Sequence, residues 1–169
     1  AHWGLNLDQA APIEIEGTGE FPQDGLWNTA TRYRLAAKYA EGFEMIIAGG
    51  YNDIRGGTKW LGTDGWVWVN RGHLDAFPKK LLQERFGPSE VHLPRVANHV
   101  RNFLDCVKSR KQTLTPCQTA HHSAIPGHLG LVAMLLGRKI RFDPKTETIL
   151  NDSTANQVLG HSYRSPWTL

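Results

Sequence analysis

The chain has 169 residues, 40% of them hydrophobic, enough apolar mass for one domain with a core. No run approaches the ~18 consecutive apolar residues that read as a membrane span. The net charge of +3 comes from interspersed acids and bases without a long block, so charge offers no case for nucleic acid.

Residues 1–8, AHWGLNLD, read as the last turn of a helix, with Trp3 and Leu5 as core residues. No cap precedes this apolar start, so the natural chain is expected to continue upstream of Ala1; no signal peptide is visible at Ala1. Residues 12–19 alternate, with Ile13 and Ile15 on one face and Glu14 and Glu16 on the other, the pattern of a half-buried strand. A turn-rich loop at 21–25 leads to a strand over 29–40. Glu41-Gly42 then joins it to a returning run at 43–48, an antiparallel hairpin. Residues 57–61, 66–70 and 73–77 form further strands, separated by Thr63-Asp64-Gly65 and Arg71-Gly72. Apolar residues on both faces of Trp66-Val67-Trp68-Val69 predict that both faces are covered.

The second half reads as helical. Val96, Val100, Phe103, Leu104 and Val107 recur at helical spacing within 94–110. Leu129, Val132, Ala133 and Leu136 mark a central helix, widened by Leu131, Met134 and Leu135 until it belongs in a core. Ser123 can cap its start, with Pro126 in the first turn; a start near Thr119 would instead put Pro126 inside it. Gly137 can end it, Ile140 to Phe142 form a short strand, and Asp143-Pro144 turn the chain. Asp152 or Ser153 caps a last helix through Leu159, with an aromatic tail at Tyr163-Arg164-Ser165-Pro166-Trp167. Strands first and helices after predict an α+β fold: an open, mainly antiparallel sheet with helices packed on one face.

Ligand-type residues gather at Cys117, His121, His122 and His128. Cys117, His121 and His128 match no zinc spacing, so the metal reading is the lesser one and no metal is expected. His128 reads as a packed, hydrogen-bonded histidine. His121 and His122 lie near a helix start, where free N–H groups and positive potential meet hydroxyls and anions. Cys106 and Cys117 read as free thiols, a disulfide being the minority reading. Tyr163 and Arg164 either close over a site or tie the C-terminus to the core. Trp66 and Trp68 are core or interface before they are a sugar platform. Gly49-Gly50 and Arg55-Gly56-Gly57 form no phosphate loop, and no glycine fingerprint, GxSxG, HExxH or Cys-X-X-Cys occurs.

Taken in order, Gly25-Leu26-Trp27-Asn28-Thr29-Ala30-Thr31, Gly62-Thr63-Asp64-Gly65-Trp66 and residues 102–111, NFLDCVKSRK, resemble the C-terminal domain of the Gfo/Idh/MocA oxidoreductases in its bacterial type. The likeness continues through His121-His122-Ser123, His128-Leu129-Gly130, Leu136-Gly137-Arg138-Lys139, Phe142-Asp143-Pro144, Ala155-Asn156 and the Tyr163–Trp167 tail. It spans essentially the whole chain. The resemblance implies a domain that shapes a substrate site and builds homo-oligomers through its open sheet face, while NAD or NADP sits on an N-terminal Rossmann domain absent from this chain. The chain alone is then expected to bind no cofactor and to be inactive. The implied substrate is a sugar, inositol or related polyol, used in net redox or in redox-assisted elimination or glycoside cleavage. His2 stands where other members often carry a different polar residue, so no catalytic role is carried over to it, and no catalytic residue is assigned. His122 stands where an Arg is expected after His121. Residues expected to hold the polyol are His121, His122, Asn28 and Arg164. The open face of the sheet, with its Val, Ile and Trp content, is expected to meet a second subunit. The expected compartment is the cytoplasm, with export the alternative. The competing reading is a stand-alone carbohydrate-binding or scaffold module without redox activity; a third is a metal-dependent enzyme using His121 and His128.

Overall fold

A computed structural model describes residues 1–160 and 163–167. The strands are β1 (Glu14–Glu20), β2 (Arg32–Lys38), β3 (Glu44–Gly49), β4 (Thr58–Gly62), β5 (Gly65–Asn70), β6 (His73–Phe77), β7 (Ile140–Asp143) and β8 (Thr148–Ile149). The helices are α1 (His99–Ser109), α2 (Cys117–Leu136) and α3 (Ser153–Leu159). All recorded strand pairings are antiparallel, and the fold is α+β.

The strands divide into two sheets rather than the one expected. The larger has the order β3-β2-β1-β7-β8, and the smaller is the meander β4-β5-β6. Between them runs an irregular stretch in which Gly50 (φ 79°) and Gly57 (φ 122°) take left-handed backbone. It carries the chain away from β3, so β4 pairs forward with β5 instead of back.

The core forms where α2 lies across the larger sheet. Ile15 of β1, Leu35 and Ala37 of β2, and Ile140 and Phe142 of β7 meet Ile125, Leu129, Val132 and Ala133 of α2, all buried. Gly130 permits the close approach: a Cβ there would sit 2.3 Å from Leu35 Cδ1. α3 packs on α2 and β8, and its Asn156 clamps β8 by accepting from the Ile149 N–H (2.8 Å) and donating to the Ile149 carbonyl (2.7 Å). Asp152 caps α3 at the Ala155 N–H and takes a two-bond grip from Arg138, at 2.9 Å each. That guanidinium, then the Ala155 N–H, holds the Asp152 carboxyl below its usual range.

The opposite face of this sheet is charged, which corrects the expected Val, Ile and Trp surface. The strand period sends Glu14, Glu16, Arg34, Lys38 and Arg141 outward because their neighbours Ile15, Leu35 and Ile140 point into the core. Glu14 meets Lys139 at 2.8 Å, Lys38 at 3.4 Å and Arg141 at 3.8 Å. Lys139 first, with Lys38, holds the Glu14 carboxyl below its usual range.

Trp60, Trp66 and Trp68 lie in the smaller sheet, and basic side chains cover the last two. The Arg55 guanidinium stacks 3.2 Å from the Trp68 ring, and the Lys59 ammonium lies 4.3 Å from the Trp66 ring. Asp75 collects Arg55 and Lys79 on the same face.

Three local expectations are also corrected. Residues 3–5 form a 3₁₀ turn with Trp3 and Leu5 exposed, while His2 and Leu7 are buried in their place. Helix α2 begins after Pro116 and not at Ser123, so Pro126 is interior. Helix α1 is shorter than 94–110; Asn98 caps it by accepting from the Arg101 N–H at 2.8 Å. Its apolar residues Val100, Phe103, Leu104 and Val107 are 45–66% exposed, and among the described residues it has no substantial packing partner. Cys106 and Cys117 are free thiols.

Candidate substrate site at the start of helix α2

His121 and His122 fall in the second turn of α2, one turn in from an N-terminus with no side-chain cap and no acidic residue. The helix is locally weakened at this point. Pro126 has no N–H to offer the carbonyl of His122, four residues back.

The two rings meet edge to face with centroids 5.5 Å apart. His121 donates through Nε2 to Glu147 Oε1 at 2.7 Å, since an ionised carboxylate only accepts. His122 donates through Nδ1 to the carbonyl of Gln118 at 2.9 Å, one turn back in the same helix. Among the described residues neither His121 Nδ1 nor His122 Nε2 has a hydrogen-bond partner.

Glu147 reaches His121 because the β7–β8 turn is built to present it. Asp143 accepts from the Lys145 N–H (3.0 Å) and the Thr146 hydroxyl (2.8 Å), and these bonds hold its carboxyl below the usual range. Thr146 and Thr148 hydroxyls are linked at 2.7 Å. Glu147 then takes left-handed backbone, φ 53°, unusual for a residue with a Cβ.

A second pair lies within electrostatic reach. His2 Nε2 and the Tyr39 hydroxyl share a hydrogen bond of 2.8 Å, both residues being buried. Burial lowers the His2 ring below the ordinary imidazole value; the Ala1 amino group and His122 add repulsion, and Asp8 opposes them. Burial, with Glu41, pushes the Tyr39 phenol upward. His2 Nδ1 is buried without a partner among the described residues.

The four residues expected to hold substrate are not drawn together equally. His121 and His122 are adjacent and structured. Asn28 is exposed in the β1–β2 loop, beside exposed Leu26 and Trp27, and makes no recorded hydrogen bond. Arg164 is exposed in the tail, where its carbonyl accepts from the Trp167 N–H at 3.0 Å. No recorded contact joins either to the histidine pair. His128 is exposed rather than packed, and no cluster of three metal-type ligands occurs among the described residues. Sequence reasoning missed Glu147, whose only local sign was the Asp143-Pro144 turn, and Tyr39, whose partner lies 37 residues away.

A dinucleotide does not fit these residues. Its usual cradle is the crevice of a parallel strand–helix–strand unit opened by a glycine-rich turn, and the recorded strand pairings here are antiparallel.

Fold and site together define an antiparallel α+β domain with a histidine pair near the start of the helix that packs on its larger sheet. A profile described as the C-terminal alpha/beta domain of the oxidoreductase family matches residues 2–169. The chain belongs to the Gfo/Idh/MocA oxidoreductase family, as its C-terminal domain. No curated protein and no solved structure matches it. No helix among the described residues is long and apolar enough to cross a membrane.

Proposed function

We propose that this domain holds a sugar, inositol or related polyol for an oxidoreductase whose NAD or NADP is carried on a preceding Rossmann module. The observation that carries the reading is the adjacent His121 and His122, fixed by separate hydrogen bonds at a helix start. Alcohol oxidation needs the reacting C–H and O–H held in one orientation, and positioning of that kind is what a fixed pair of polar side chains supplies. The uncovered apolar face of α1 gives the preceding module a surface to dock on. Asn28 and Arg164 complete the polyol contacts from a loop and the tail.

In the oxidoreductase carrying its Rossmann module, replacing His121 and His122 together by Ala should lower kcat/KM for the polyol by about a hundredfold or more. Dinucleotide affinity should stay unchanged. Full activity in that variant would end the assignment. The domain also self-associates through the open face of the larger sheet, where the acidic row of β1 lies beside the basic row of β2 and complements itself under a two-fold axis. Added salt should weaken that association in sedimentation.

A further inference from the structure

The two histidines make hydrogen bonds of opposite sense around their rings. Glu147 can only accept, so His121 carries its proton on Nε2 and leaves Nδ1 bare when neutral. The Gln118 carbonyl can only accept, so His122 carries its proton on Nδ1 and leaves Nε2 bare. We infer that Glu147 and the Gln118 carbonyl lock His121 and His122 in opposite tautomers, so that the pair offers two bare ring nitrogens accepting hydroxyl protons from a neutral diol. This rests on the polyol reading above and adds to it the direction of each hydrogen bond.

Two observations support the lock. Glu147 sits in left-handed backbone within the turn that Asp143 organises, and its carboxylate meets His121 Nε2 at 2.7 Å. The Gln118 carbonyl is part of the helix itself and is fixed relative to His122. Both bare nitrogens are acceptors, so a ligand that engages them must bring donors. Hydroxyl groups do; their methyl ethers keep the oxygen and lose the donor. Glu147 touches no substrate in this scheme and acts as a positioning residue for His121.

The test uses the full chain with ¹⁵N-labelled histidine and long-range ¹H–¹⁵N spectra at neutral to mildly alkaline pH. His121 should show a proton on Nε2 and His122 a proton on Nδ1. Inositol should move the resonances of the two bare nitrogens, and its fully O-methylated ethers, which keep no hydroxyl, should not. Glu147→Gly suits the left-handed backbone and removes the carboxylate; it should weaken the inositol response about tenfold. Glu147→Gln, which still accepts from Nε2, should restore most of it. A proton on Nε2 of His122, an equal response to the methyl ethers, or an unchanged response in Glu147→Gly would each overturn the inference. Opposite tautomers with no response to inositol at either ring would instead overturn the polyol reading, and with it the ligand half of this one.

Discussion

His2 shows how one buried side chain ties the beginning of the chain to the sheet. Its ring bonds the Tyr39 hydroxyl just past β2, and burial makes the protonated ring unfavourable. Between the lowered folded value and the ordinary value near 6.5, the unfolded chain binds a proton that the folded chain does not. Stability therefore rises with pH through that window and is lost as pH falls through it. Asp8 softens the effect, while the Ala1 amino group and His122 sharpen it. His2→Gln can keep a bond to Tyr39 and has no proton to take up. Urea unfolding at about pH 7 and about pH 5 should show a smaller acid loss in His2→Gln than in the parent. Equal losses would contradict the account. Nothing local in the AHWGLNLD stretch marks His2 as the buried residue: Trp3 and Leu5 are the more apolar choices, and only packing against Tyr39 reverses the order.

Helices α1 and α2 carry apolar residues at similar spacing and meet opposite fates. Leu129 in α2 is 1% exposed, and Leu129→Ala should cost about 3 kcal/mol in chemical denaturation. Phe103 in α1 is 56% exposed, so Phe103→Ser should change the stability of this chain by less than about 0.5 kcal/mol. The same change should weaken docking of the Rossmann module, read as lost activity in the joined protein. A large loss of stability from Phe103→Ser would mean that α1 is packed within this domain. Amphipathic spacing made both helices legible; what covers each is a non-local fact that spacing does not carry. The Pro116 start of α2 was hidden in the same way. Ser123 is the better capping residue, but residues 117–122 complete an additional turn and Pro126 is tolerated inside the helix. Strands β1 to β6 were legible from alternation and turn residues. Their division into two sheets was not, because partner choice depends on where the Gly50 to Gly57 stretch sends the chain. Glu147 joined the site through a contact 26 residues from His121, which no local pattern reports.

Across the whole molecule, the larger sheet places α2 on one face and a lattice of ion pairs on the other, and the histidine pair lies at the head of the covered helix. Family membership was legible from phrases spread over nearly the entire chain, and the matching profile spans residues 2–169. The recorded strand pairs run antiparallel, so among the described residues no parallel strand–helix–strand crevice of the usual dinucleotide kind is formed. The most direct measurement is a titration of this chain alone with NADH and NADPH, followed by nicotinamide fluorescence, beside the same titration of the chain joined to its Rossmann module. The account predicts no binding by the chain at millimolar dinucleotide and saturable binding by the joined protein; saturable binding of either dinucleotide by these 169 residues alone would contradict it.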